Sequence, residues 1–213
     1  MNILKPYQRI SDEISQLNKN VTLIVVTKTF SIDHIKPLVK YGHIHFGENK
    51  VQEALNKWTQ TLLLNSNLRL HMIGNLQSNK AEDAVSIFSY IHSLDSEKLA
   101  LKLNKAEQKY KRSLKYFIQV NVGNENQKSG IGISDLSDFL NLCLKKYNLN
   151  IIGLMCLPPM NEDPKKYFFK LKELADQHNL YQLSMGMSND YKLAIDSGST
   201  FVRIGSQICG SRS

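Results

Sequence analysis

Two hydrophobic patterns alternate along this chain. Short runs rich in β-branched and aromatic residues recur at 21–27, 43–47, 68–73, 90–94, 116–122, 151–157, 182–187 and 201–208. Each has the length and apolar density of a strand buried on both faces. The segments between them carry helical spacing instead. Ile32, Ile35, Leu38 and Val39 form one such face, as do Val51, Ala54, Leu55 and Trp58. Leu99, Leu103 and Ala106, then Leu136, Phe139, Leu140 and Cys143, then Phe168, Leu171, Leu174 and Ala175 repeat the pattern. That is the stripe a helix presents to a core. A further segment, Tyr7 to Leu17, predicts an extra helix before the first strand. Ser31, Ser96, Ser134 and Ser188 each follow a strand and are placed to cap the next helix.

Strands that alternate with helices must run parallel, because only a crossover returns the chain to the same edge. Eight units predict an α/β protein closed into a single (β/α)8 TIM barrel with an extra N-terminal helix. No linker-like or low-complexity stretch divides it, so residues 1–213 are expected to form one domain.

Composition narrows the function. Lysine and arginine number 27 against 19 acidic residues, a net charge of +8. The lysines are dispersed over predicted helix surfaces without interleaved aromatics, so no nucleic-acid partner is expected. No apolar run approaches the ~18 residues of a membrane span, and residues 1–6 turn polar too early for a secretory leader. Cys143, Cys156 and Cys209 form no CxxC pair. The expectation is a monomer in a reducing cytoplasm with no membrane attachment.

In a barrel of this kind the chemistry gathers past the C-terminal ends of the strands. Lys28, Gly47-Glu48-Asn49, Gly74-Asn75, Asp95, Asn121, Pro158-Pro159, Ser188, and Arg203 with Gly205 and Ser206 all fall there. Lys28 follows the buried run Leu23–Val26. Either it marks the strand end and reaches solvent, or desolvation lowers its pKa and frees a neutral amine to attack an aldehyde. Gly205 lets backbone amides approach an anion, Ser206 adds a hydroxyl, and Ser188 adds another beside a helix start. Phosphate sites in this fold often form after the seventh and eighth strands. Arg203 is expected inside the barrel, where a guanidinium needs a partner. Toward a pyridine-type nitrogen it could only donate.

The spaced motifs Val26-Thr27-Lys28, Phe46-Gly47-Glu48-Asn49 with Val51-Gln52-Glu53, and His71-Met72-Ile73-Gly74 into Leu76-Gln77-Ser78-Asn79-Lys80 carry a resemblance. It continues through Lys128-Ser129-Gly130, Gly153-Leu154-Met155, Leu183–Ser188 and Gly198–Gly205. On these residues the chain resembles the pyridoxal phosphate homeostasis protein family, whose fold-type III barrels are similar to the barrel of alanine racemase. The resemblance implies that pyridoxal 5′-phosphate forms a Schiff base on Lys28. It implies that Ser188, Gly205 and Ser206 hold the phosphate, that Arg203 faces the ring nitrogen, and that Asn49 lies near the cofactor. Lys128 is implied near an outer exchange loop. The function implied is intracellular vitamin B6 homeostasis as a carrier or regulator, with apo-enzymes as possible recipients and no established reaction. Lys50 stands where the family usually has tyrosine, Asn75 where proline is commoner, and the tail after Gly210 is short.

Two other readings compete. A pyridoxal phosphate-dependent amino-acid racemase needs a base on each face of the substrate carbon. Lys28 supplies one, and in related racemases a tyrosine of a second domain supplies the other. A metal-dependent hydrolase would use His43 and His45, whose strand spacing predicts two imidazoles on one face. No third ligand is spaced to complete that site.

Overall fold

The computed structural model describes residues 3–125 and 127–210. It opens with helix α1 (Leu4–Leu17), three residues longer at its start than the periodicity indicated. Then strands and helices alternate. The first units are β1 (Thr22–Val26), α2 (Ile32–Tyr41), β2 (His45–Glu48), α3 (Val51–Leu64), β3 (Arg69–Met72) and α4 (Ala81–Ile87). The chain continues through β4 (Tyr90–Leu94), α5 (Glu97–Tyr110), β5 (Lys115–Gln119), α6 (Leu136–Asn141) and β6 (Ile151–Met155). It ends with α7 (Pro164–Gln177), β7 (Gln182–Met187), α8 (Tyr191–Asp196), β8 (Phe201–Ile204) and the short α9 (Ser206–Cys209). All eight strands are parallel, and β8 closes on β1 with Ile24 opposite Arg203 and Val25 opposite Ile204. The (β/α)8 expectation holds.

Closure divides the apolar side chains into two compartments. Val25, Phe46, Leu70, Ile91, Tyr116, Leu154 and Val202 point outward and pack under the helices. Ile24, Tyr90, Phe117, Met155 and Phe201 fill the lumen. The two-residue period of a strand makes this division. Trp58 is fully buried and lies against Phe46 with ring centroids 4.8 Å apart.

Glycine is required where β6 meets β7. A Cβ on Gly153 would sit 1.8 Å from the Gln182 carbonyl oxygen, a backbone atom that cannot move aside. Gly153→Ala is therefore expected to cost about 3 kcal/mol or more, read as a lower urea midpoint in equilibrium unfolding.

Several boundaries differ from the pattern. The second strand begins at His45, and the fifth ends at Gln119, leaving Asn121 beyond it. Cys156 lies just past β6. The eighth strand stops at Ile204 because Gly205 turns the backbone (φ −117°, ψ −75°) into α9. Gly205 and Ser206 thus follow the strand, and Cys209 is helical. Ser31 and Ser96 cap α2 and α5 through the amides of His34 and Leu99. Ser134 does not cap α6, which grows out of a 3-10 turn, and Ser188 does not cap α8, whose N-cap is Asp190. Ser211, Arg212 and Ser213 of the short tail lie outside the described residues. No helix among the described residues is long and apolar enough to cross a membrane.

Candidate functional site

Lys28 stands two residues beyond β1, half-buried, on a turn closed by the Phe30 amide donating to the Thr27 carbonyl (3.2 Å). Its neighbour Thr29 has φ +71°, a left-handed conformation that disfavours a β-branched residue. The Glu53 carboxylate holds that conformation by accepting from the Thr29 amide (2.5 Å). Burial raises the Glu53 carboxyl, but the Thr29 amide and Lys57 outweigh it and leave it below its ordinary range.

Beneath the turn lies a buried ion pair. Glu48 Oε1 accepts from Thr27 Oγ1 (2.6 Å), Lys57 Nζ (2.9 Å) and Trp58 Nε1 (2.9 Å). Lys57 Nζ also donates to the Thr27 carbonyl (2.8 Å) and to Glu53 (3.1 Å). The two side chains are 0% and 7% exposed, so water cannot substitute for either partner. Lys57→Met leaves the Glu48 charge uncompensated and is expected to cost roughly 3–5 kcal/mol. In a chain of this size that lowers Tm by roughly 6–20 °C. Adding Glu48→Gln to Lys57→Met should recover part of the loss, a non-additivity that thermal unfolding of the three variants measures.

Across the β1–β8 seam, two hydroxyls meet past β7 and β8. Ser206 Oγ donates to Ser188 Oγ at 3.2 Å, and Gln207 Nε2 donates to the Ser188 carbonyl at 2.5 Å. A Cβ on Gly205 would press on Val26 Cβ and its carbonyl oxygen at 3.3 Å, so glycine lets this loop lie against the end of β1. The amides that open α9 have no intrahelical acceptor. The structure thus brings Ser188, Gly205 and Ser206 together past β7 and β8, with Gly205 against Val26, two residues before Lys28.

Arg203 lies in the lumen, 4% exposed. It donates from one terminal nitrogen to Ser184 Oγ (2.5 Å) and from the other to the Cys156 carbonyl (3.1 Å). No carboxylate among the described residues pairs with it. Burial pulls its pKa down, with Cys156 and Asp190 opposing, yet a guanidinium keeps its proton. Two of its five N–H donors are used by these contacts.

Asn49 follows β2, and its Oδ1 is buried with no hydrogen-bond partner among the described residues. A Cβ on Gly74 would overlap the Asn49 backbone at 2.4 Å, so Gly74 permits this close approach. A buried acceptor without a donor is costly, and a ligand donor is one remedy. Lys128 is tied to Glu125 (2.5 Å) and the Pro158 carbonyl (3.1 Å) beside a cavity of about 260 Å³ lined by Gly74, Asn75, Gln119 and Asn121.

His43 and His45 both line one cavity at the start of β2, but their rings take different partners. His43 lies before β2 and bonds Tyr7 Oη (3.1 Å) and the His45 carbonyl (2.7 Å), while His45 Nδ1 meets His71 Nε2 in the lumen (2.9 Å). Of the strand methionines, Met155 is in the lumen, Met185 packs under the helices and Met187 is exposed.

Sequence reasoning assigned no role to Ser184, His71, His92, Glu48 or Lys57. The signal for the first three was present as parity, since His71, His92, Ser184 and Arg203 share the inward phase of their strands. For Lys57 the helix surface pattern gave none, and Glu48 stood out only as a polar residue at a strand end.

The family model described as alanine racemase, N-terminal domain, matches residues 7–213. A pyridoxal phosphate homeostasis protein of Aquifex aeolicus is 35% identical over 99% of this chain and 95% of its own length. The structure of PipY from Synechococcus elongatus with PLP bound is 35% identical, covers 96% of this chain and 100% of its own, and superposes with a TM-score of 0.86. An alanine racemase of Clostridium difficile shares the fold at 15% identity, with a TM-score of 0.69 over 92% of this chain and 54% of its own.

Proposed function

This chain belongs to the pyridoxal phosphate homeostasis protein family, and we propose that it binds pyridoxal 5′-phosphate and acts as an intracellular carrier or regulator of that cofactor. In this reading Lys28 Nζ forms the Schiff base with the aldehyde carbon, with loss of water. Ser188, Gly205 and Ser206 hold the phosphate through their hydroxyls and the close backbone approach. Asn49 offers its unpartnered oxygen to the cofactor, and Arg203 donates toward the ring nitrogen.

The observation that carries the reading is the gathering of a lysine, a hydroxyl pair beside glycine, an orphaned amide oxygen and a buried arginine at one barrel end. Each matches one part of a molecule that has an aldehyde, a phosphate, a ring hydroxyl that can donate and a basic ring nitrogen. Bound pyridoxal phosphate supplies an electrophilic carbon and an electron-withdrawing ring. Arg203 limits the second, because a group that only donates leaves the ring nitrogen unprotonated. This favours holding the cofactor over using it. Purified protein mixed with an apo-enzyme in limiting free cofactor is expected to restore that enzyme's activity. No restoration would contradict the carrier reading.

The matching family model is named for a racemase domain, and that favours a second reading, an amino-acid racemase in which Lys28 is one of two bases. The exchange of the α-hydrogen of alanine into deuterated water separates the two. Background-level exchange is expected, and rapid turnover would favour the racemase.

A further inference from the structure

The barrel lumen holds a line of polar groups that the proposed binding role does not require. His45 Nδ1 lies 2.9 Å from His71 Nε2, His71 Nδ1 lies 2.9 Å from His92 Nε2, and His92 Nδ1 lies 2.8 Å from Ser184 Oγ. Arg203 donates to the same Ser184 oxygen. His71 and His92 are fully buried, packed between Tyr90, Phe117 and Phe201. At the other end, His45 lines a cavity of about 240 Å³ with Tyr7, Ser11, Thr22 and His43, at the N-terminal face of the barrel. The line therefore runs from the site of Arg203 through the lumen to the opposite face.

We propose that these groups form a single hydrogen-bonded wire with one direction: Ser184 O–H donates to His92, His92 to His71, and His71 to His45, all three imidazoles carrying their proton on Nε2. Each neutral imidazole has one donor and one acceptor nitrogen, so one tautomer fixes the next. Two directions are formally available, and Arg203 selects between them. Its N–H occupies one lone pair of Ser184 Oγ, and it cannot accept. If His92 also donated to that oxygen, the Ser184 hydroxyl proton would have no acceptor among the described contacts. A buried donor left unsatisfied costs about 1–3 kcal/mol. In the proposed direction Ser184, His92 and His71 each have a partner for both donor and acceptor, and each acceptor nitrogen faces the guanidinium charge.

Arg69 and Lys115 stand near His45 at the far end and oppose this dipole. Both lie at the exposed starts of their strands, where solvent screens them. Arg203 is fully desolvated and in direct contact, so it dominates. Burial keeps His71 and His92 well below the ordinary histidine pKa, as a neutral wire requires. The wire residues are positioning residues: they hold Ser184 as an acceptor and so fix the Arg203 fork. The wire exists without any ligand, so its test does not depend on cofactor binding.

The test is nitrogen NMR of cofactor-free protein with ¹⁵N-labelled histidine, the rings assigned by single His→Gln variants. At neutral pH, His45, His71 and His92 are expected to show pyrrole-type Nε2 and pyridine-type Nδ1 resonances. A proton on Nδ1 of any of the three, or an imidazolium, overturns the wire. In Ser184→Ala the direction loses its anchor, and His92 and His71 are expected to shift to mixed tautomers. Unchanged tautomers in a folded Ser184→Ala protein would show that they are set locally, and would also overturn it. Should that variant not fold, the wild-type spectrum alone decides.

Discussion

Lys28→Ala is expected to abolish covalent capture of pyridoxal phosphate while leaving the barrel folded. The side chain is half-buried on a turn after β1 and contributes little to the packed core, so its removal should move Tm by only a few degrees. The loss falls on binding. Without an amine at this position there is no imine whose reduction by borohydride would fix the cofactor to the chain, and the yellow absorption of the lysine-linked cofactor is expected to disappear. The phosphate grip proposed for Ser188, Gly205 and Ser206 is untouched by this change, so weak binding should persist. Affinity is expected to drop by at least about two orders of magnitude, ~2.7 kcal/mol. Equilibrium dialysis with the free cofactor reads that drop, and affinity unchanged within threefold would show that Lys28 is not the attachment point.

The second large effect is acid sensitivity. His43 and His45 are each pushed down to about 4, chiefly by burial, and His71 and His92 lie well below their ordinary value for the same reason. In the unfolded chain each titrates near 6.5. Between the unfolded and folded values the unfolded state binds protons that the native state refuses, so stability rises with pH across that window and falls as pH drops. At pH 5 each fully buried imidazole withholds about 2 kcal/mol relative to pH 7. His71 and His92 together thus remove about 4 kcal/mol, and His43 and His45, still neutral at pH 5 with values of about 4, add losses of similar size. Urea midpoints measured from pH 7.5 to 4.5 should fall steeply below pH 6.5. In His71→Gln the slope should become shallower by one proton, and an unchanged slope would show that His71 does not supply it.

Much of the architecture was legible because burial on both faces writes a dense apolar run, and each of the eight runs became a strand. The short helices α4 and α8, of 7 and 6 residues, complete too few turns for a period to register. The end of β8 was misread because Val202, Ile204 and Ile208 continue one apolar run, while the break at Gly205 is a backbone rotation that composition does not record. Lys28, Ser188, Gly205 and Ser206 were visible as polar residues at strand ends. The wire was harder to see: a histidine in a strand looks the same facing lumen or helix until register assigns it a side. Lys57 reads as an ordinary surface charge at helical spacing, and Glu48 as one more polar residue at a strand end. Only the third dimension reveals that they are paired and buried under the Lys28 turn.

The claim on which the rest depends is the identity of the attachment residue. The chain carries many lysines, so wild-type protein incubated with pyridoxal phosphate, reduced with borohydride and digested gives a discriminating answer by peptide mass spectrometry. The cofactor mass is expected on the peptide that contains Lys28, at near-stoichiometric yield, and on no other. Its appearance mainly on another lysine, or on none, would contradict the account.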